Sequence, residues 1–139
     1  MATLLTLLAV LVFFGLLWRP INPQSPGGIK RLHRLAQTSR PLMTDVEHYG
    51  KLHGSYPSQI TDLYPDYYVN KKRQTGWYYE GWTDRATSHE YFLSINPGDG
   101  HDPLLRFERR TNGSSQWAYD PGDGTPATPL PFSILPNSY

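Results

Sequence analysis

Two copies of a Pro-Gly-Asp-Gly motif, beginning at Pro97 and Pro121, are the residues of this chain best suited to hold a metal ion. Calcium prefers oxygen ligands, which carboxylates and the carbonyl groups of glycine turns supply. The candidate ligands are Asp99 and Asp102 in the first loop, and Asp120 and Asp123 in the second. The alternative is a pair of tight turns whose aspartates bond to their own backbone. The sequence indicates no other cofactor.

An aromatic cluster, WYYEGW from Trp77 to Trp82, is the second candidate site. Side chains alternate along a strand, so Trp77 and Tyr79 share one face while Tyr78 and Trp82 share the other. If one face packs in the core, the other presents a platform for sugar rings or a partner. We take Trp77, Tyr79 and Trp82 as candidate binding residues. The alternative is that both faces are covered, one by a helix and one by the proline-rich tail.

Other kinds of chemistry find no support in the sequence. The five histidines show no ligand spacing; His48 and His53, for example, would lie on different faces of a helix. No Gly-x-Ser-x-Gly elbow and no glycine-rich phosphate loop occurs. The chain has no cysteine, which excludes disulfides and thiolate metal sites. We therefore predict that the protein is not an enzyme.

The segment from Ala2 to Trp18 contains no charged residue and determines where we expect the chain to reside. As a helix it would span roughly 25 Å, near the lower limit for crossing a bilayer. A cleaved signal peptide is the alternative, but no basic residue precedes the run and no small-residue cleavage motif follows it. A retained single-pass anchor is the better interpretation, with Trp18 and Arg19 at its interfacial end.

Charge is distributed unevenly along the chain. The first five basic residues, from Arg19 to Arg40, all come before the first acidic residue, Asp45. The rest of the chain has more acidic than basic residues. This distribution argues against nucleic-acid binding and suits a stretch beside anionic lipid headgroups. The positive-inside rule would place the following domain in the cytoplasm, but long domains are translocated regardless of flanking charge. Orientation stays open; we expect an inner-membrane protein whose soluble domain is periplasmic or extracellular.

An amphipathic helix is predicted after a linker rich in proline and glycine. Its apolar stripe comprises Ile29, Leu32, Leu35, Leu42, Val46, Tyr49 and Leu52. Pro41 interrupts this pattern, so either the helix kinks there or Ser39 caps a second helix with Pro41 in its first turn. Gly50 and Gly54 end the helix, and Ser58 is a plausible cap for one short turn beyond Pro57.

The apolar period then changes to two, which predicts a small antiparallel sheet. The candidate strands are Trp77 to Trp82, Glu90 to Ile95, Leu104 to Glu108 and Gln116 to Tyr119. The segments between them are rich in turn-forming residues, as expected for a meander. The tail after Asp120 carries five prolines and no obvious element, so it either wraps the domain or is loose.

The helix ends in Tyr49-Gly50-Lys51-Leu52-His53-Gly54-Ser55-Tyr56-Pro57, followed by Ile60 and Leu63. With the apolar N-terminus and the sheet, this segment resembles type II secretion pseudopilins and related type IV pilin-like proteins. Their helix typically runs into a Gly-x-Tyr-Pro turn. The chain would be an atypical relative, because Gly15 is followed by Leu16 and no acid lies within the apolar run, so the prepilin cleavage motif is missing. The resemblance implies assembly in the cell envelope.

We therefore predict an α+β fold, with an N-terminal transmembrane helix and a kinked amphipathic helix packed on a three- to four-stranded antiparallel sheet, as in pilins. The expected divisions are an anchor (1–19), a linker (20–28), a domain (29–120) and a proline-rich tail (121–139). The expected function is a non-enzymatic, membrane-anchored assembly protein whose partners are other envelope or pilin-like proteins or further copies of itself. The alternative is an anchored module that binds glycan or peptide through an aromatic surface.

Overall fold

The computed structural model describes residues 21–70, 75–82, 88–98 and 102–136. Its helices are α1 (Pro26–Gln37), α2 (Arg40–His53) and the single turn α3 (Ile60–Leu63). Its strands are β1 (Tyr78–Gly81), β2 (His89–Ile95), β3 (Leu104–Arg110), β4 (Ser115–Asp120) and β5 (Thr128–Pro129). Helices therefore precede all the strands in the chain, which is typical of α+β proteins.

A side-chain cap marks the start of α1, whereas α2 begins without one. Ser25 accepts a hydrogen bond from the Gly28 amide at 3.0 Å, with Pro26 in the first turn, so α1 begins inside the segment predicted as linker. Ser39 occupies the cap position before α2 and Pro41 lies in its first turn. Of the two possibilities at Pro41, the structure thus shows two closely joined helices. The Ser39 hydroxyl donates to the Ala36 carbonyl at 2.8 Å across the junction.

A tight turn returns the chain from α2 towards the sheet. Gly54 adopts the left-handed conformation (φ 73°) and its amide donates to the Gly50 carbonyl at 2.9 Å. The ring of Tyr56 then packs directly on Gly50, where an added Cβ would lie 2.9 Å from the ring. Pro57 is fully buried. The turn thereby fixes the side chain of Tyr56 against the last turns of α2.

The five strands form one antiparallel meander in the order β1-β2-β3-β4-β5. Residues paired across neighbouring strands share a face, so Tyr79, Leu93, Phe107 and Trp117 form one continuous row. This inner face is buried against the helices. The opposite face, called the outer face below, carries the alternate residues, among them Tyr78, which is 57 % exposed.

The core lies between the inner face and the two long helices. The helices contribute Leu32, Ala36, Leu42, Met43 and Val46, and the sheet contributes mostly aromatic rings. Trp77 and Trp117 meet edge to face, with ring centroids 5.8 Å apart. Large aromatic rings thus supply much of the buried surface on the sheet side of the core.

The proline-rich tail packs on the helical side of the sheet. The Leu130 amide donates to the Trp117 carbonyl at 2.9 Å, and Ile134 is buried. Phe132 contacts both Trp117 and His33, which lies on α1. The part of the tail up to residue 136 therefore closes one end of the core instead of covering the outer face.

The predicted fold class is wrong in its number of strands and in its helix. The sheet has five strands, because Thr128–Pro129 of the tail pairs with β4. Two separate helices replace the single kinked one. The predicted anchor, residues 1–19, lies outside the described residues, and within those residues no helix is long and apolar enough to cross a bilayer.

Candidate functional site

Glu47, in the middle of α2, is the centre of a polar cluster that faces the sheet. One carboxylate oxygen accepts a hydrogen bond from the Tyr56 hydroxyl at 2.9 Å, and the other accepts one from the Tyr91 hydroxyl at 2.9 Å. The rings of Tyr56 and Tyr91 lie 5.0 Å apart. The carboxylate thus joins the helix, the turn after it and the sheet at one point.

A β-bulge brings a second carboxylate to this cluster. His89 pairs with Arg110 and Tyr91 with Arg109, so Glu90 is an extra residue in β2. The extra residue breaks the alternation of faces, and the Glu90 carboxylate lies on the inner side, 3.5 Å from Nε of Arg109. The same Nε lies 3.8 Å from Glu47. Arg109 therefore lies between two carboxylates.

The protonation states of the cluster follow from burial and from these charges. Burial, and then the nearby Glu47 charge, raise the pKa of Tyr56 to about 12. The same two causes raise the pKa of Tyr91 far above its ordinary value. Burial opposes the charged form of Arg109, but Glu47 and the two tyrosine hydroxyls raise its pKa above the ordinary value overall. At neutral pH the tyrosines are therefore neutral donors and Arg109 is a cation.

Glu47 and Glu90 open onto a cavity of about 310 Å³, called the polar cleft below. Its walls comprise Glu47, Gly50, Lys51, Gly54, Ser55, Tyr56, Trp82, His89, Glu90 and Thr111. Carboxylates and hydroxyls thus face an indole and a phenol ring within one space. Most ligand sites combine aromatic walls with a few fixed polar groups in this way.

A second concave surface, called the outer groove below, lies on the outer face and measures about 480 Å³. It is formed by Tyr78, Trp82, His89, Phe92, Ser94, Leu104, Arg106 and Glu108. Trp82 and His89 therefore line both the polar cleft and the outer groove. Their rings are 5.4 Å apart, and Trp82 is 5.2 Å from Phe92.

The structure separates the three aromatic residues predicted to bind. Trp77 and Tyr79 are buried in the core, and their polar atoms bond inside the protein, to the Thr38 hydroxyl and the Pro57 carbonyl respectively. Neither can act as a surface platform. Trp82 lies in the wall of both cavities. Of the three residues predicted to bind, Trp82 is thus the one that lines a cavity.

Where the structure describes the aspartates proposed as calcium ligands, their carboxylates bond to nearby groups of the protein. Asp102 accepts from the Asn96 amide, and Asp120 accepts from the Gly122 backbone and pairs with Arg106 at 2.8 Å. Asp123 accepts from Thr125. Within the described ranges no group of three or more candidate ligands could hold a metal ion. Asp99 lies outside those ranges, so calcium binding stays a prediction.

Sequence reasoning missed Glu47, Glu90 and Arg109. One signal was available for Arg109, because it continues the alternation of Leu105 and Phe107 and therefore faces the core. A charged residue on a core face requires an opposite charge nearby. Glu47 likewise follows Met43 by four residues, in line with the buried stripe of α2. The bulge at Glu90 has no such signal, since alternation alone places this residue on the outer face.

Comparison with known proteins identifies no relative. No family model matches the chain, and no curated protein and no solved structure matches it either.

Proposed function

We propose that this protein is a non-enzymatic binding module that recognises a neutral saccharide in the polar cleft. The observation that carries the proposal is the meeting of two carboxylates, Glu47 and Glu90, with the rings of Tyr56 and Trp82 in one cavity. Sugar hydroxyls are good donors to carboxylates, and the C–H faces of a sugar ring pack well on indole and phenol rings. This is the glycan-binding alternative predicted from the sequence; it keeps Trp82 and replaces Trp77 and Tyr79 by residues of the cleft.

The charges of the cleft favour a neutral ligand. Arg109 lies within 4 Å of both carboxylates, and Lys51 adds a second positive charge to the wall. The two acids and two bases therefore balance. A strongly charged ligand would gain little from this site, whereas a ligand with many hydroxyl groups would find both acceptors and donors.

Binding is favoured over catalysis by the same contacts. The two oxygens of the Glu47 carboxylate accept from the Tyr56 and Tyr91 hydroxyls, and Arg109 lies 3.8 Å away, so this side chain is already engaged within the protein. Glu90 is likewise paired with Arg109. A hydrolase that uses two carboxyl groups needs one of them protonated as the acid. Two carboxylates that share one cation instead provide fixed acceptors.

Saccharide binding can be tested with the full chain. Titration calorimetry with neutral disaccharides of glucose, xylose and N-acetylglucosamine should identify one that binds. Trp82→Ala and Glu90→Gln should each weaken that binding about 5- to 30-fold, or roughly 1–2 kcal/mol, since the first removes a ring contact and the second replaces a charged acceptor by a neutral one. Glu80→Gln is the matched control, because Glu80 lies on the outer face and lines neither cavity.

Three outcomes would contradict the proposal. They are no binding of any neutral saccharide, binding that Trp82→Ala leaves unchanged, and equal losses in Glu90→Gln and Glu80→Gln. Preference for an amine-bearing analogue over its neutral parent would also contradict it, because the cleft would then act as an anionic site.

Assembly in the cell envelope is a second candidate function, supported by the turn after α2. Gly54 ends the helix, Tyr56 packs back on Gly50 and Pro57 is buried, which is the packing expected for the turn that resembles pilin-like proteins. Light scattering of the full chain in detergent tests this function. An oligomer that persists in Trp82→Ala supports assembly, whereas a monomer that binds saccharide supports the binding module alone.

A further inference from the structure

The polar cleft and the outer groove share a wall. Trp82 and His89 line both spaces, and the Trp82 amide donates to the Glu90 carbonyl at 2.9 Å, which fixes the indole at the border between them. Because the same indole lines both spaces, a ligand seated against Trp82 in the cleft can continue onto the outer face.

The outer groove carries a row of aromatic rings that leads away from the cleft. Phe92 follows Trp82 with centroids 5.2 Å apart, and Tyr78 follows Phe92 at 5.7 Å. Each step is comparable to the length of one sugar residue in a chain. The rings are tilted by about 40° to each other, so each presents its own patch of surface instead of a single flat plane.

The charges beside this row are compensated within the protein. Arg106 pairs with Asp120 at 2.8 Å, and Glu108 lies 3.6 Å from Arg110 and 3.9 Å from His89. The outer groove therefore does not select a charged chain. Its paired side chains remain able to exchange hydrogen bonds with hydroxyl groups.

An extended peptide is less well suited to the sheet. Peptides commonly add to a sheet as an extra strand, which requires a free edge. The Gly81 amide of edge strand β1 instead donates to the Ser58 carbonyl at 3.1 Å, and the Pro57 carbonyl lies so close that a Cβ at Gly81 would overlap it. The other edge, β5, is two residues long and contains Pro129.

We propose that the polar cleft and the outer groove form one continuous site for a linear neutral polysaccharide. One sugar residue occupies the cleft against Trp82, and the following residues stack on Phe92 and Tyr78. This inference rests on the proposed saccharide-binding function. It adds that the ligand is a chain, and that affinity depends on its length.

The test compares chain lengths within one series of neutral oligosaccharides, from the disaccharide to the hexasaccharide. In the wild-type protein, affinity should rise by about 3- to 10-fold for each ring contacted beyond the cleft, the increment expected for one added aromatic contact. Tyr78→Ala should reduce this gain and leave the disaccharide affinity unchanged. Tyr78 is exposed, so its replacement should not affect folding. Phe92→Ala is a second variant, which tests the other ring of the outer groove. Leu52→Ala, an exposed apolar residue on α2, is the control.

The outcomes separate this inference from the proposed function. A length-dependent gain that Tyr78→Ala reduces supports the continuous site. Disaccharide binding without any gain, or a gain unchanged in both Tyr78→Ala and Phe92→Ala, overturns the continuous site and leaves the cleft intact. Failure of every saccharide to bind at any length overturns both proposals.

Discussion

The indole N–H of Trp77 donates to the hydroxyl of Thr38 over 2.9 Å. Thr38 is the residue at which α1 ends, and its hydroxyl also donates to the Leu35 carbonyl. Trp77 itself is fully buried just before β1. A single hydrogen bond thus connects the start of the sheet to the junction between the two long helices.

We expect Thr38→Val to destabilise the protein by about 1–3 kcal/mol, because the buried indole N–H would lose its acceptor while the side-chain volume hardly changes. Urea unfolding measures this loss. In a Trp77→Phe background the same substitution should cost much less, since no donor remains to be satisfied. Equal costs in both backgrounds would show that the hydrogen bond contributes nothing.

Glu47→Gln should be among the more destabilising single substitutions, at about 3 kcal/mol, because it removes the charge that compensates Arg109 and one acceptor for the two tyrosine hydroxyls. Chemical denaturation provides the measurement. Glu80→Gln is the control and should change the free energy of unfolding by less than about 0.5 kcal/mol. If the two variants proved equally stable, the cluster would have no net effect on folding.

Two glycines in helices should respond to alanine in opposite ways. At Gly50 the new methyl group would lie 2.9 Å from the Tyr56 ring, so Gly50→Ala should cost about 1–3 kcal/mol. At Gly27 nothing lies within 4 Å, and Gly27→Ala should stabilise α1 by up to about 1 kcal/mol. Thermal unfolding of both variants tests the pair. A stabilising Gly50→Ala would mean that the Tyr56 ring moves away at no cost.

Tyr56, Tyr79 and Tyr91 should ionise at a higher pH than ordinary tyrosines. Burial raises the pKa of Tyr56 to about 12 and the pKa values of Tyr79 and Tyr91 further still. In the unfolded chain they would ionise near pH 10, so the unfolded state loses protons first and folding stability falls as pH rises above about 10. Absorbance at 295 nm should therefore show that these tyrosines ionise above about pH 10, at the same pH at which circular dichroism shows the protein unfolding. A single titration of all tyrosines near pH 10 would contradict this.

The sheet was more accessible to sequence reasoning than the site. The four predicted strand segments correspond to β1 to β4 within two residues, because alternation and turn residues are local signals. β5 was not predicted, because it is two residues long and forms only by pairing with β4. At Pro41 the apolar period was compatible with both a kink and two helices, because both keep the same residues on the buried side. The break at Thr38 and Ser39 is visible only in the structure.

The candidate site was less accessible because it is built from distant parts of the chain. Trp82 was identified since aromatic residues are conspicuous in any sequence. Glu47 and Arg109, however, come together only when α2 packs on β3. The sequence around either residue gives no sign that the other is its partner. Trp77 and Tyr79 were chosen for their aromatic character, which equally suits a core.

The bulge in β2 places one residue of the binding cleft, Glu90, outside the regular pairing of the sheet. A chain lacking Glu90 would pair His89 with Arg110 and Tyr91 with Arg109 in regular register, so the meander and its core could form unchanged. The second carboxylate of the cleft would disappear, together with the Glu90 carbonyl that accepts from the Trp82 amide. Insertion or loss of a single codon at this point would therefore switch the recognition surface while the rest of the architecture remains, a route by which related sequences could share this fold and differ in what they bind.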